Sequence, residues 1–237
     1  MNWLVNNWDL VLRLSVEHLR LSITPIILGF VISIPLGWLA FRFRLTRGIL
    51  LTVAGLLYTI PSLALFVLLP PFLGISFLSE ANITIALTIY AVAIMARSVA
   101  DALDSVDPLV RQSATAVGYG GWRRFWTVEF PLAGPVILAG LRVAAVSTVA
   151  LVTVGIFIGV QSLGYLFTDG NQRHILLEVL SGVVATMVLA LLLDRILVLI
   201  GRILMPWAPR SGTSARRAER RQSIRPVTGP TAVNQGA

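Results

Sequence analysis

The chain has no cysteine, which removes disulfides and thiolate metal sites. Lysine is absent too, so all 19 basic residues are arginine. A phosphate-binding P-loop needs a lysine to reach the β- and γ-phosphates. This chain therefore cannot be an ATPase of that type, and any ATP-driven function needs another polypeptide. Histidine is limited to His18 and His174, far apart and outside the apolar stretches; each is expected as a lone surface residue. Charge of either sign is sparse: 13% of the 237 residues, against 56% hydrophobic. Soluble domains carry roughly 25% charged residues. The composition predicts an integral membrane protein with one membrane domain and no room for a second.

The formal net charge of +8 is compatible with nucleic-acid binding. Its distribution argues against that partner. Arg216, Arg217, Arg220, Arg221 and Arg225 sit in a terminal tail, and other arginines flank apolar stretches. The middles of those stretches have no charge: Arg97, Asp101, Arg142, Asp194 and Arg195 read as lying near cytoplasmic ends, and Glu178 near an outer end. Arg142 and Arg195 are then placed to snorkel, and Asp194 to pair locally. A proton-coupled carrier is disfavoured, because such routes use ionisable groups in the membrane. Sodium coupling through carbonyls and hydroxyls stays open.

A bilayer core needs roughly 20 apolar helical residues. Five stretches qualify: about Leu21 to Phe41, Ile49 to Leu69, Asn82 to Val99, Leu138 to Val160 and Leu176 to Ile200. Arginines mark the cytoplasmic loops: Arg42, Arg44 and Arg47; Arg97, Arg111, Arg123 and Arg124; then Arg202, Arg210 and the tail. Five spans put the amino terminus outside and the carboxyl terminus inside. Residues 1–20 lack the basic start and short apolar core of a signal peptide. They read as an amphipathic interfacial helix, because Asn6, Asn7, Asp9, Arg13 and Glu17 are costly in hydrocarbon. Residues 21–205 form the membrane domain, with a polar loop over about 102–131. From 206 to 237 the chain is rich in Pro, Ser, Gly, Thr and Arg and reads as a disordered basic cytoplasmic tail. Attraction to anionic lipid and simple solvation both fit that tail.

Pro25, Pro35 and Pro61 interrupt helical stretches. At Pro61, Thr59 and Ser62 can bond the loosened backbone, and Pro70, Pro71 and Gly74 end the segment. A packing kink and a bent pathway-lining helix are both open readings. In the polar loop, Asp107 can cap a helix whose first residue is Pro108. Val110, Ala114 and Val117 share one face, and Gly118, Gly120 and Gly121 supply a corner. Trp122, Phe125 and Trp126 give the next segment an aromatic face, with Arg123 and Arg124 toward water. The result is two short helices with a glycine corner, either an ordinary amphipathic loop or a unit that fits a groove on a partner.

The loop residues Arg111 to Pro131 resemble the EAA loop of permease subunits in bacterial ATP-binding-cassette (ABC) importers. Gln112, Ser113 and Ala114 occupy the Glu-Ala-Ala places, with departures at the first two, and Gly118, Val128 and Pro131 fall at the family offsets. TIPSLAL from Thr59, FPLAGPVILAGLRVA from Phe130, IGVQSLGYLF from Ile158 and LLLDRILVLI from Leu191 are similar to the osmoprotectant branch: glycine betaine, carnitine, choline and proline uptake. Gln161 and Ser162 stand where that branch is expected to have small residues.

The resemblance implies an all-α membrane protein of the type I ABC importer fold: about five transmembrane helices, an amphipathic N-terminal helix and a cytoplasmic coupling helix. It implies a non-enzymatic permease subunit in a bacterial plasma membrane. Gln112, Ser113, Ala114, Gly118, Tyr119 and Gly120 would dock an ABC ATPase subunit, which would carry ATP-Mg; the chain itself needs no cofactor. Tyr58, Pro61, Ser62, Phe157 and Gln161 are pathway or gate candidates. Further partners would be a second permease copy or paralogue, an extracellular or periplasmic solute-binding protein and the lipid bilayer. Gly140, Ala144, Ala145 and Ser147 are small enough for contacts between the two halves. Other cargo such as an amino acid or methionine, a secondary carrier and a membrane scaffold remain alternatives.

Overall fold

The computed structural model describes residues 2–208, and all regular structure among them is helical. A short α1 (Asn2–Asn6) leads into α2 (Trp8–Arg42), α3 (Arg44–Thr59), α4 (Ser62–Leu73) and α5 (Glu80–Asp104). Then come α6 (Pro108–Ala116), α7 (Gly121–Arg124), α8 (Phe130–Val152), α9 (Gly164–Gln172) and α10 (Leu176–Leu204). A π turn, Phe125–Glu129, joins α7 to α8, and a 3-10 turn, Thr153–Ile158, extends α8. Four runs are long and apolar enough to cross a membrane: Trp8–Arg42, Glu80–Asp104, Gly121–Ile158 and Leu176–Leu204. The pair α3 and α4 makes a fifth only as a broken span, bent by 108°. Most of the tail expected to be disordered, 209–237, lies outside the described residues.

No helix break falls at the expected boundary between residues 20 and 21. Helix α2 runs through it for 35 residues. At 1.5 Å per residue that is about 50 Å, against a hydrocarbon core of about 30 Å. The polar first turns can therefore stand beyond the hydrocarbon without ending the helix. There Arg20 pairs with Glu17 at 2.8 Å and with Glu80 at 2.7 Å. Leu14 packs with Leu163 and Leu166. His18, expected at the surface, is fully buried; its Nε2 lies 2.9 Å from the Val149 carbonyl. A carbonyl only accepts, so Nε2 carries the proton. Glu178 is also fully buried, at the start of α10.

Helix α5 is the centre. It packs against α2, α3, α4 and α8 and buries Ala86, Ala91, Ala93, Ala96, Ala100 and Ala102. Small side chains let backbones approach closely, the main source of helix cohesion in lipid. Gly29, Ser33 and Gly37 recur every four residues along the buried face of α2. A Cβ on Gly29 would sit 2.4 Å from the Ala91 Cβ, and one on Gly37 2.5 Å from the Val99 Cβ. A Cβ on Gly140 would meet the Ser98 Cβ at 2.4 Å, and Ala144 and Ala145 are buried within the chain. Ala144 and Ala145 thus serve packing inside one subunit and not the contact between halves expected of them, whereas half-buried Gly140 and Ser147 are left partly open.

Asp194 pairs as expected: the Arg142 Nε and Nη2 donate to its two carboxylate oxygens, at 2.6 and 2.9 Å, joining α8 to α10. The bidentate geometry satisfies both groups.

Candidate functional site

Two places gather the residues singled out by sequence: the loop between α5 and α8, and the break between α3 and α4.

The loop is built as its capping residues dictate. The Asp107 carboxylate accepts the Leu109 N–H at 2.8 Å, and Pro108 occupies the first turn of α6. The far end of α6 closes with paired reverse bonds. The Gly118 N–H donates to the Thr115 carbonyl at 3.0 Å, and the Tyr119 N–H to the Ala114 carbonyl at 3.0 Å. This is the Schellman arrangement, which needs a left-handed residue between helix and exit. Gly118 supplies it at φ +92°. Gly120 then starts α7 in an extended conformation.

The docking candidates thus share one corner. Gln112, Ser113, Gly118 and Gly120 are exposed; Ala114 and Tyr119 are half-buried, with the Arg123 guanidinium 5.0 Å from the Tyr119 ring. Apolar side chains beside them also face outward: Leu109 is 67% exposed, Val117 79% and Trp122 69%. One expectation fails here. Arg124 does not face water but turns inward to Glu129, at 2.7 Å. Phe125 is buried beneath, edge-on to Trp38 of α2 at 6.2 Å between ring centres.

At the α3–α4 break, Ile60 leaves the helical region (ψ 128°), as residues before proline prefer. Pro25 and Pro35 lie inside the unbroken α2. Thr59 bonds back to the Leu56 carbonyl at 2.7 Å, as expected, whereas no side-chain hydrogen bond of Ser62 stands among the described ones. The Ile60 carbonyl is instead taken by the Tyr90 hydroxyl. Asn82, fully buried, donates to the carbonyls of Phe66 (2.9 Å) and Phe77 (3.0 Å) and so holds α4 against α5. Tyr58, half exposed, lies edge-on to Tyr90 at 6.1 Å.

Tyr58, Pro61 and Ser62 are therefore together. Phe157 is 65% exposed on the 3-10 turn, which touches α4. Gln161 stands apart, in a cleft of about 450 Å3 with Arg13, Glu17, Arg20 and Glu80. Ser162, where a smaller residue was expected, is buried; its hydroxyl donates to the Val152 carbonyl and accepts the Gly164 N–H, both at 3.2 Å. Asn82 was not singled out from sequence. A polar residue inside an apolar run was the available signal.

The model of the family described as binding-protein-dependent transport system inner membrane component matches residues 29–207. The chain belongs to that family. Among its relatives is the osmoprotectant import permease protein OsmW of Salmonella typhimurium, 31% identical over 211 residues, covering 87% of this chain and 97% of that protein. The glycine betaine/carnitine/choline transport system permease protein OpuCB of Bacillus subtilis is 28% identical over 206 residues, covering 87% and 94%. Among solved structures, inward-facing MetNI methionine ABC transporter matches with TM-score 0.76 at 21% identity, covering 84% of this chain and 98% of that one. The permease therefore has the type I ABC importer fold, and the loop with Gly118 lies within the family match.

Proposed function

We propose that this permease forms half of the translocation pathway of an ABC importer for compatible solutes such as glycine betaine, choline, carnitine or proline. The glycine-cornered loop carries the reading: Gln112, Ser113, Ala114, Gly118, Tyr119 and Gly120 form a finger with exposed Leu109 and Val117 beside it. Apolar side chains at a rigid polar-chain corner suit insertion into a protein groove. The finger docks a separate ABC ATPase, which binds ATP-Mg. The arginine distribution supports a cytoplasmic finger and carboxyl terminus and an outer amino terminus, in a bacterial plasma membrane. A second permease, identical or paralogous, completes the pathway, and a solute-binding protein delivers cargo from outside. Tyr58, Pro61, Ser62 and Phe157 line the route at the broken span. Gln161 belongs to the outer mouth. Relatives named for glycine betaine, carnitine and choline, and for osmoprotectants, support this cargo class.

Gly118→Asp tests the docking. A side chain at φ +92° is strained. The variant should insert normally and lose co-purification with its ATPase; normal co-purification counts against the assignment. Uptake of labelled glycine betaine by the complex with its ATPase and binding protein tests the cargo, with methionine as the contrasting solute.

A further inference from the structure

The loop is not merely tethered at the two ends of its chain. Its polar contacts form one connected set reaching three membrane helices. On one side, the Arg111 guanidinium lies over the Phe41 ring of α2 at 4.7 Å and donates to the Leu103 carbonyl of α5. On the other, Arg124 Nε donates to Glu129 Oε1 at 2.7 Å, and Arg124 Nη1 donates to the Thr115 hydroxyl at 2.7 Å. That hydroxyl in turn donates to the Arg111 carbonyl at 2.9 Å. A single arginine thus joins α6, which carries the finger, to the root of α8.

The pair depends on an unusual backbone. Residues five apart on an α-helix point roughly 140° away from each other, at 3.6 residues per turn. Arg124 and Glu129 are five apart and meet. They do so because Phe125–Glu129 is a π turn, closed by the Phe130 N–H on the Phe125 carbonyl. The wider turn brings Glu129 back toward Arg124. Glu129 is only 2% exposed. A carboxylate so buried needs its counter-charge. The π turn and the ion pair therefore support each other.

We propose that Arg124, Glu129 and Thr115 are positioning residues: a clasp that makes the finger, the π turn and α8 move as one body, so that motion of a docked ATPase reaches the pathway. This rests on the docking reading above. Without the clasp, the π turn becomes a compliant joint, and the finger can move while α8 stays.

The test uses the full complex of permease, ATPase and binding protein in proteoliposomes, measuring glycine betaine uptake and ATP hydrolysis together. Glu129→Gln keeps the shape of the buried side chain and removes its charge. It should retain ATPase co-purification and hydrolysis while solute moved per ATP falls about tenfold, the scale of one charge-assisted hydrogen bond. Thr115→Val should lower the same ratio and Thr115→Ser should restore it; this exposed pair decides the matter if Glu129→Gln does not accumulate. An unchanged ratio, or uptake and hydrolysis falling in parallel, overturns the clasp. If the unaltered chain holds no ATPase at all, the docking reading fails, and the clasp with it. A coupled unaltered complex with insensitive variants sinks the clasp alone.

Discussion

Helices α5 and α10 are both long enough to cross a bilayer and both strongly apolar, yet they are built in opposite ways. Of the most apolar stretch of α5, 61% is buried inside the subunit; of α10, none is. Alanine dominates the buried faces of α5, and glycines on α2 and α8 come up against it. Leucine and valine dominate α10: Leu191, Leu192, Val188 and Leu199 are each about half exposed. Apolar content says only that a helix can sit in lipid. Side-chain size decides whether it can be surrounded by other helices, because packing in lipid rests on close approach and not on removal from water. Large residues on α10 suit lipid or a second subunit; small ones on α5 suit a crowded centre.

Substitutions can break this comparison, read as shifts in the unfolding midpoint of the detergent-purified subunit. The largest effect is expected at the centre. Gly37→Leu drives a side chain into Val99, whose Cβ would be 2.5 Å from the new Cβ. It should cost about 3 kcal/mol, the upper part of the overpacking range; a cost below that of any α10 change would refute the central role of α5. The exception on α10 is its ion pair. Asp194→Ala leaves Arg142 unmatched and should cost about 2 kcal/mol, less than for a wholly buried pair because Arg142 is part exposed. The double change Arg142→Met with Asp194→Leu should recover most of the loss, and failure to recover it would mean the charges do more than pair.

Tyr90→Phe comes next. It removes the hydroxyl on the Ile60 carbonyl and should cost about 1 kcal/mol; no change would show that the broken span is held by packing alone. The smallest effect is expected for Leu192→Ala, at a position 59% exposed on α10. It should stay within about 0.5 kcal/mol in the isolated subunit. A larger loss in the assembled transporter than in the subunit would place a partner on that face.

Much of this was legible along the chain. The apolar stretches marked every span, and Asp107, Pro108 and Gly118 marked the ends of α6, because caps and glycine corners act through neighbours in sequence. Gly29, Ser33 and Gly37, at four-residue spacing, are a sign of close packing readable in the sequence. Other features carried no local signal. The interfacial and membrane parts of α2 could not be told to be one helix, since polar turns beyond the hydrocarbon are no barrier to it. His18 looked solvent-facing, yet its Nε2–H donates to the carbonyl of Val149, 131 residues away.

Sequence alone determined that the chain lives in a membrane, that it lacks a P-loop of its own, and where a glycine-cornered finger interrupts the spans; each rests on composition or on contacts a few residues apart. Tertiary structure alone decided how sharply the span bends at Pro61, which small residues are used up inside the subunit, and that Asp194 pairs with Arg142 on another helix. Those outcomes depend on which surfaces meet across long stretches of chain, and a buried charge or a freed carbonyl takes whichever partner the fold brings within reach.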